Sequence, residues 1–461
     1  MKQKNSFLKT VCNLAIPVAL QSMLQASFSI VDQIMIGQLG SVSIAGVGLA
    51  GKFSSIFSVL VSAIGAVAGI MISQYIGQQN RREVHRSFWM NLLFALGLAG
   101  VFTILCGLFP RQIMGLYTED TDTMLAAAGY LFIVAGTFLP IAGATLLSTL
   151  LRCMEKAAFP LYASIAAAIL NTGLNYLLIF GKAGFTPMGA RGAAVATLVS
   201  QLANFLFMLL FFLNYRRCVR KKENHTVSET VYFDRENQDA GECAEAFDWK
   251  QYGLILLPIF ISEFMWSLGE NVYAVIYGHL GTEACAAMTL TNPVQGLMIG
   301  ALCGLSQAAG VIVGKKLGNG EYEEAYWASK KLMVYGFVGS LVLSALMIII
   351  SPFYVKIYQV EKSVRVLTMQ IMVAYAVIAP FKVQNMIVGG GILRSGGKTQ
   401  YVMAIDITGT WVFGVPLGLF TAFVLELSIP WVYFILSLEE CARFGISLAV
   451  FRRKKWMQSL K

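Results

Sequence analysis

The chain has 461 residues, 57% of them hydrophobic and 13% charged, with a formal net charge of +10. Soluble domains carry about a quarter charged residues, so a water-soluble core is excluded for most of this chain. Most basic residues lie in short segments between apolar runs, which points to anionic lipid and membrane topology and away from nucleic acid.

Apolar runs of about 20 residues or more recur from end to end, each about long enough to cross a bilayer. In chain order they predict spans at 10–37, 44–76, 87–109, 123–150, 159–180, 189–215, 251–278, 284–314, 329–351, 365–388, 400–424 and 428–450. The first run is long and polar-studded, with no cleavage signature, and reads as a retained span. Between the sixth and seventh lies the one long polar stretch. The predicted organisation is an N-terminal six-helix lobe over 1–215, a cytoplasmic linker over 216–250 and a C-terminal six-helix lobe over 251–461. Glycines within the runs, such as Gly46, Gly48, Gly65, Gly69 and Gly192, read as close-packing positions between helices.

Placing the N-terminus inside puts 26 of the 35 Lys and Arg residues on the inner side and six on the outer side. That asymmetry predicts both termini in the cytoplasm and a multi-pass protein of the cell membrane. The halves also repeat. At an offset of 241, Pro17 meets Pro258, Gly37 and Gly40 meet Gly278 and Gly281, Ala68-Gly69 meets Ala309-Gly310, and Gly77 meets Gly318. Pro140 meets Pro380 at 240, and Leu151-Arg152 meets Leu393-Arg394 at 242. An even number of spans per half makes the repeats parallel. The expected fold is all-α and polytopic, with twelve transmembrane helices in two six-helix repeats and a central cavity suited to alternating access.

Charge within a span is costly, so ionisable residues there face a protein interior or water and are functional candidates. In the first half Gln21, Gln25, Ser29 and Asp32 fall on one helical face. Asp32 is the acidic candidate; its alternative reading is an interfacial residue near the outer end of its span. Asn171 and Asn175, spaced i, i+4, either complete a cation site with Asp32 or act as interhelical hydrogen-bond glue. Thr197 and Gln201 are weaker candidates of the same kind, and Lys52 reads as a snorkelling base.

The second half holds Glu263, Glu270, Lys382, Asp406, Glu439, Glu440 and Arg443 within its spans. Glu263 with Lys382 is the expected central pair, and Glu439 could pair with Arg443 at i, i+4. Glu439 and Glu440 are expected nearer the inner surface. Surplus carboxylates suit proton or sodium coupling; the alternative is a static ion-pair cluster. Trp266, Tyr273 and Tyr277, with Phe28, Met35, Phe53, Phe57 and Met265, could wall a site for an organic cation or could simply pack.

The eight cysteines include no CxxC pair and read as buried small hydrophobes. There is no P-loop, HExxH or GxSxG motif, and the three histidines, His85, His225 and His279, are scattered. No cofactor or enzymatic activity is expected.

Several motifs together resemble the multidrug and toxic compound extrusion (MATE) family. They are Pro17 to Gly40 with Val31-Asp32, Gly69 to Gly77 followed by Gln78-Gln79-Asn80-Arg81, Gly192-Ala193-Ala194-Val195-Ala196-Thr197, and Leu393-Arg394-Ser395-Gly396-Gly397-Lys398. The resemblance covers nearly the whole chain and implies secondary antiport, with cationic drugs leaving in exchange for sodium or protons. Asp32 matches the family's first-helix acid, making it a candidate sodium ligand. Asn171 and Asn175 match a fifth-helix motif whose second position is often Asp. The tenth-helix acid of some members is not evident; Lys382 lies in that neighbourhood. The expected partners are small organic cations and membrane lipids, with the chain acting as a monomer. The alternatives are a flippase for a lipid-linked anionic precursor, which would favour a basic cavity, and a membrane-embedded lipid-modifying enzyme, which would need a clustered Asp or His motif.

Overall fold

The computed structural model describes residues 2–39, 41–182, 184, 186–223, 248–356 and 361–460. Among these no strand occurs, and long helices dominate. The first half contains α1 (Lys2–Ile36), α2 (Ser41–Gly77), α3 (Arg81–Leu108), the short α4 (Pro110–Gly115), α5 (Thr121–Ala135), α6 (Phe138–Cys153), α7 (Ala158–Phe180) and α8 (Ala190–Glu223). The second contains α9 (Trp249–His279), α10 (Thr282–Gly318), α11 (Tyr322–Lys356), α12 (Lys362–Asn385), α13 (Thr399–Ile407), α14 (Val415–Leu419), α15 (Ile429–Ser437) and α16 (Glu439–Arg452). The expected linker begins as helix, since α8 runs on to Glu223; residues 224–247 lie outside the described set.

Ten of these helical segments are long and apolar enough to cross a membrane. The fourth expected span is α5 and α6 together, bent by 48° at the Gly136-Thr137 break, and makes eleven. The twelfth expected span is α15 and α16. There Glu439, Glu440 and Arg443 dilute the apolar run, and the helix is interrupted at Leu438. The chain is thus an all-α, multi-pass membrane protein.

Two stretches of α12 to α14 widen into π-helix. Met386–Leu393 contains Gly389, Gly390 and Gly391, and Thr408–Gly414 ends just before Pro416. Proline removes a backbone donor and clashes with the preceding turn, and wide turns of this kind relieve it. Helix starts outside the spans are capped conventionally. Asn80 accepts from the Glu83 amide at 3.1 Å, and Asp120 accepts from the Thr123 amide at 3.0 Å. The Thr123 side chain, together with that amide, holds the exposed Asp120 carboxyl below the usual carboxylate range.

The chain forms two compact units. The C-terminal unit comprises Met1–Met23, Ser73–Gln79 and Phe247–Lys461, and the N-terminal unit comprises Leu24–Ile72 and Asn80–Ala246. Both α1 and α2 therefore pass from one unit to the other within a single helix. The N-terminal unit is knit by aromatic packing, with Phe57 and Phe138 rings 4.4 Å apart, and by close helix contacts at Gly46 against α5 and Gly192 against α7. Gly48, by contrast, faces open space. The C-terminal unit has a core of Tyr273, Ile276, Tyr277, Tyr375, Val432 and Tyr433.

Of the cysteines, Cys106 and Cys153 are buried as expected. Cys12, Cys285, Cys303 and Cys441 are only half-buried.

Candidate functional site

In the N-terminal unit, α1 supplies Asp32, α7 supplies Asn171 and Asn175, and α8 supplies Thr197 and Ser200. The two asparagines stand one helical turn apart, so their amides stack along one face of α7. Asn175 Nδ2 donates to Asp32 Oδ1 at 2.6 Å and to Asn171 Oδ1 at 3.2 Å. Asn171 Nδ2 donates at 3.4 Å to the hydroxyl of Ser200, which itself donates to the Thr197 carbonyl at 2.9 Å. Thr197 returns its hydroxyl to the Ala193 carbonyl at 2.9 Å. The buried Tyr130 of α5 is hydrogen-bonded to the Thr197 side chain and lies in the field of Asp32.

The carboxylate dictates which way the Asn175 amide turns, because its NH₂ must face the negative oxygen. Its own oxygen then points away. Asn175 is 1% exposed, and its Oδ1 is buried without any hydrogen-bond partner. Leaving a buried polar atom unsatisfied costs about 1–3 kcal/mol. An unsatisfied carbonyl oxygen beside a half-buried carboxylate is a set of hard oxygen donors, the type that hard cations take.

The sequence-predicted face of α1 is split between the units. Gln21 lies in the C-terminal unit, and Gln25, Ser29 and Asp32 lie in the N-terminal one. Gln25 is exposed, and the side chain of Ser29 lies outside the described residues.

The charged residues of the C-terminal unit assemble, but with different partners from those expected. Glu263 pairs with Arg394 at 3.0 Å, not with Lys382. Asp406 pairs tightly with Arg443, accepts from the Ser262 hydroxyl and lies 3.9 Å from Arg394. Arg443 reaches Glu440 at 3.6 Å, one turn away, in place of Glu439. Asn385 donates to both the carbonyl and the carboxylate of Glu440, at 2.8 and 2.7 Å. Glu439 instead accepts from the Tyr273 hydroxyl at 2.6 Å. Neither glutamate sits where charge is cheap; both are 6% exposed.

Tyr273, expected in a cavity wall, is thus buried and committed to Glu439, whereas Trp266 is exposed. Lys382 has no carboxylate within ion-pair distance among the described residues, but it sits in the field of Glu440, Glu270, Tyr375 and Tyr433. The π-helical turns make room for this network. A methyl at Gly409 would strike the Arg443 side chain, and one at Gly414 the Glu439 carboxylate.

Sequence reading missed Arg394, Ser262 and Asn385 in this network and Tyr130 and Ser200 around Asp32. Arg394 was findable. It is the repeat partner of Arg152, which also turns inward to donate to the Ser148 hydroxyl at 2.9 Å. With Arg394 included, five acids face three bases, Lys382, Arg394 and Arg443. A smaller carboxylate surplus remains, on Glu270 and Glu439.

The MatE family model matches the chain twice, over residues 17–177 and 258–420. The chain belongs to the MatE family. The two matches begin at Pro17 and Pro258, 241 residues apart, which is the offset at which the halves superimpose in sequence. Members of the MatE family are transporters, so this chain is a transporter and not an enzyme.

Among its relatives, the probable multidrug resistance protein NorM of Thermotoga maritima is 23% identical over 97% of this chain and 93% of its own length. The multidrug resistance protein MdtK of Yersinia pseudotuberculosis is also 23% identical, over 98% of this chain and 95% of its own. A solved outward-facing multidrug resistance MATE transporter superimposes with a TM-score of 0.84 at 18% identity, covering 97% of this chain and 96% of that one. A MOP superfamily transporter from Pyrococcus furiosus, described as having reversed polarity in its binding pocket, superimposes at 0.83 with 18% identity over 96% of this chain and 95% of its own. At these identities the structural likeness concerns the fold, which in MATE structures is twelve helices in two repeats.

Proposed function

We propose that this MatE protein is a secondary antiporter that exports small organic cations by alternating access, driven by entry of sodium or protons. Asp32, Asn171, Asn175 and Thr197 form the coupling site. The observation that carries this reading is the orphaned Asn175 oxygen next to the Asp32 carboxylate. A cation among these oxygens, or a proton on Asp32, would favour the conformation that binds it more tightly. The family's multidrug relatives support the substrate class. The carboxylates left over in the C-terminal unit, Glu270 and Glu439, are second candidates for ion coupling. The proposed mechanism includes no cofactor, and the loop asymmetry of Lys and Arg supports a cell-membrane protein with both termini in the cytoplasm, which we take to act as a monomer.

The test is efflux of ethidium from vesicles under separately imposed sodium and pH gradients. Efflux should follow one of the two gradients and fall at least tenfold in Asp32→Asn. Undiminished gradient-driven efflux in that variant would sink the role given to Asp32.

A further inference from the structure

The end of α2 is held by a short peptide. Gln74, fully buried, uses both ends of its amide as a strand partner would. Its Nε2 donates to the Ser395 carbonyl at 2.6 Å and the Gln458 carbonyl at 3.2 Å, and its Oε1 accepts from the Leu460 amide at 2.6 Å. One turn on, Gln78 Nε2 donates to the Ser459 hydroxyl at 3.0 Å and to the Leu460 carbonyl.

The peptide itself is anchored. Trp456 is fully buried and donates its indole N–H to the Phe451 carbonyl at 3.1 Å. Phe451 stacks between Trp456 and Tyr326 of α11, at 5.7 and 4.8 Å between ring centroids. Lys454 lies 4.6 Å over the Tyr326 ring and 2.7 Å from Glu323. Gly396 lets the segment lie flat, since a methyl there would collide with the Trp456 carbonyl.

The helix end so held also crosses α10, at a reciprocal pair of glycines. A methyl on Gly77 would strike the Lys315 carbonyl, and one on Gly318 would strike the Gln74 carbonyl. Contact there is backbone on backbone, with the Ser73 side chain set against Gly314. The polar grip of Gln74 and Gln78 on the segment adds to that hold. It acts just past the point where α2 passes out of the N-terminal unit, between Ile72 and Ser73.

We propose that segment 453–460 is a latch that fastens the end of α2 to the C-terminal unit through Gln74 and Gln78 and releases in every transport cycle. The idea rests on the transport reading above. Gln74 and Gln78 are positioning residues: they touch neither the Asp32 site nor the charged network.

The test joins Gln78→Cys to Ser459→Cys in the full reconstituted chain with a short bifunctional thiol reagent that reductant cleaves. Each single variant controls for the native cysteines. Joining should lower gradient-driven ethidium efflux at least tenfold, leave ethidium binding unchanged, and be reversed by reductant. Efflux at the unjoined rate overturns the latch. A second arm needs no transport: Gln74→Leu should speed amide hydrogen exchange at 457–460 and 395–398 together, at least tenfold, and unchanged exchange overturns the grip assigned to Gln74. If the parent chain moves no ethidium, the transport reading fails and the exchange arm alone judges the latch.

Discussion

Asn175 donates from its side-chain amide to Asp32 at 2.6 Å and has no partner for its own buried oxygen. Hydrogen bonds to charged groups contribute about 1.5–3 kcal/mol. Asn175→Leu removes both the bond and the spare oxygen. The concentration of coupling ion giving half-maximal efflux should rise at least tenfold, with fold retained. Asn175→Asp should lower it, because a second carboxylate then faces the same cation. Equal ion dependence in all three proteins would separate Asn175 from coupling.

Arg443 stands between Asp406 and Glu440, with all three side chains nearly buried. Removing one member of such a set strands the others, at about 3–5 kcal/mol. Arg443→Met should therefore lower the thermal unfolding midpoint of the purified protein by several degrees. Adding Asp406→Asn should recover part of that loss, a non-additivity expected of direct partners.

Gly77 and Gly318 occupy one helix crossing from opposite sides. Overpacking of this kind costs about 1–3 kcal/mol. Gly77→Ala and Gly318→Ala should each destabilise. The double variant should cost less than their sum, because the first methyl already parts the helices. Strict additivity in thermal melts would show that the two glycines do not share a contact.

Asp120 caps α5, and its carboxyl is held below its ordinary value by Thr123. A lowered folded pKa means the cap is fully present above the ordinary carboxylate value and is lost as pH falls through the lowered one. Protection of the Thr123 amide, taken relative to its intrinsic exchange rate, should thus hold at neutral pH and be lost only in strong acid. Asp120→Ala should abolish that pH dependence.

The spans, the repeat and the family were legible because each is written locally, in run length, in the recurrence of proline and glycine, and in loop charge. So was the company of Asp32 and Asn175, since both face inward from apolar helices. The partners of Glu263 were not. Between Lys382 and Arg394 the helix widens to π over Met386–Leu393, which shifts the angular phase that a 3.6-residue period assumes. The expected tenth span, 365–388, holds Lys382 and stops short of Arg394, whereas the helix continues through the wide turns and Arg394 pairs with Glu263. The last span was legible as an apolar run but not as two helices, because its break at Leu438 accompanies charges whose partners lie on α12 and α13. Segment 453–460 reads as a basic end, and only the tertiary contacts of Trp456 and Gln74 give it a role.

The crossing of α2 and α10 has one more property. Gly77 touches Lys315 and Gly318 touches Gln74, and each residue lies 241 positions from its counterpart. A contact in which i meets j and j meets i is the signature of two identical surfaces meeting on a twofold axis. The crossing thus has the reciprocity of a contact between two repeats of one sequence pattern. The paired positions differ in chemistry: Lys315 stands at one, and at the other Gln74, which grips segment 453–460. One crossing is therefore reciprocal in its backbone contacts and asymmetric in its side chains.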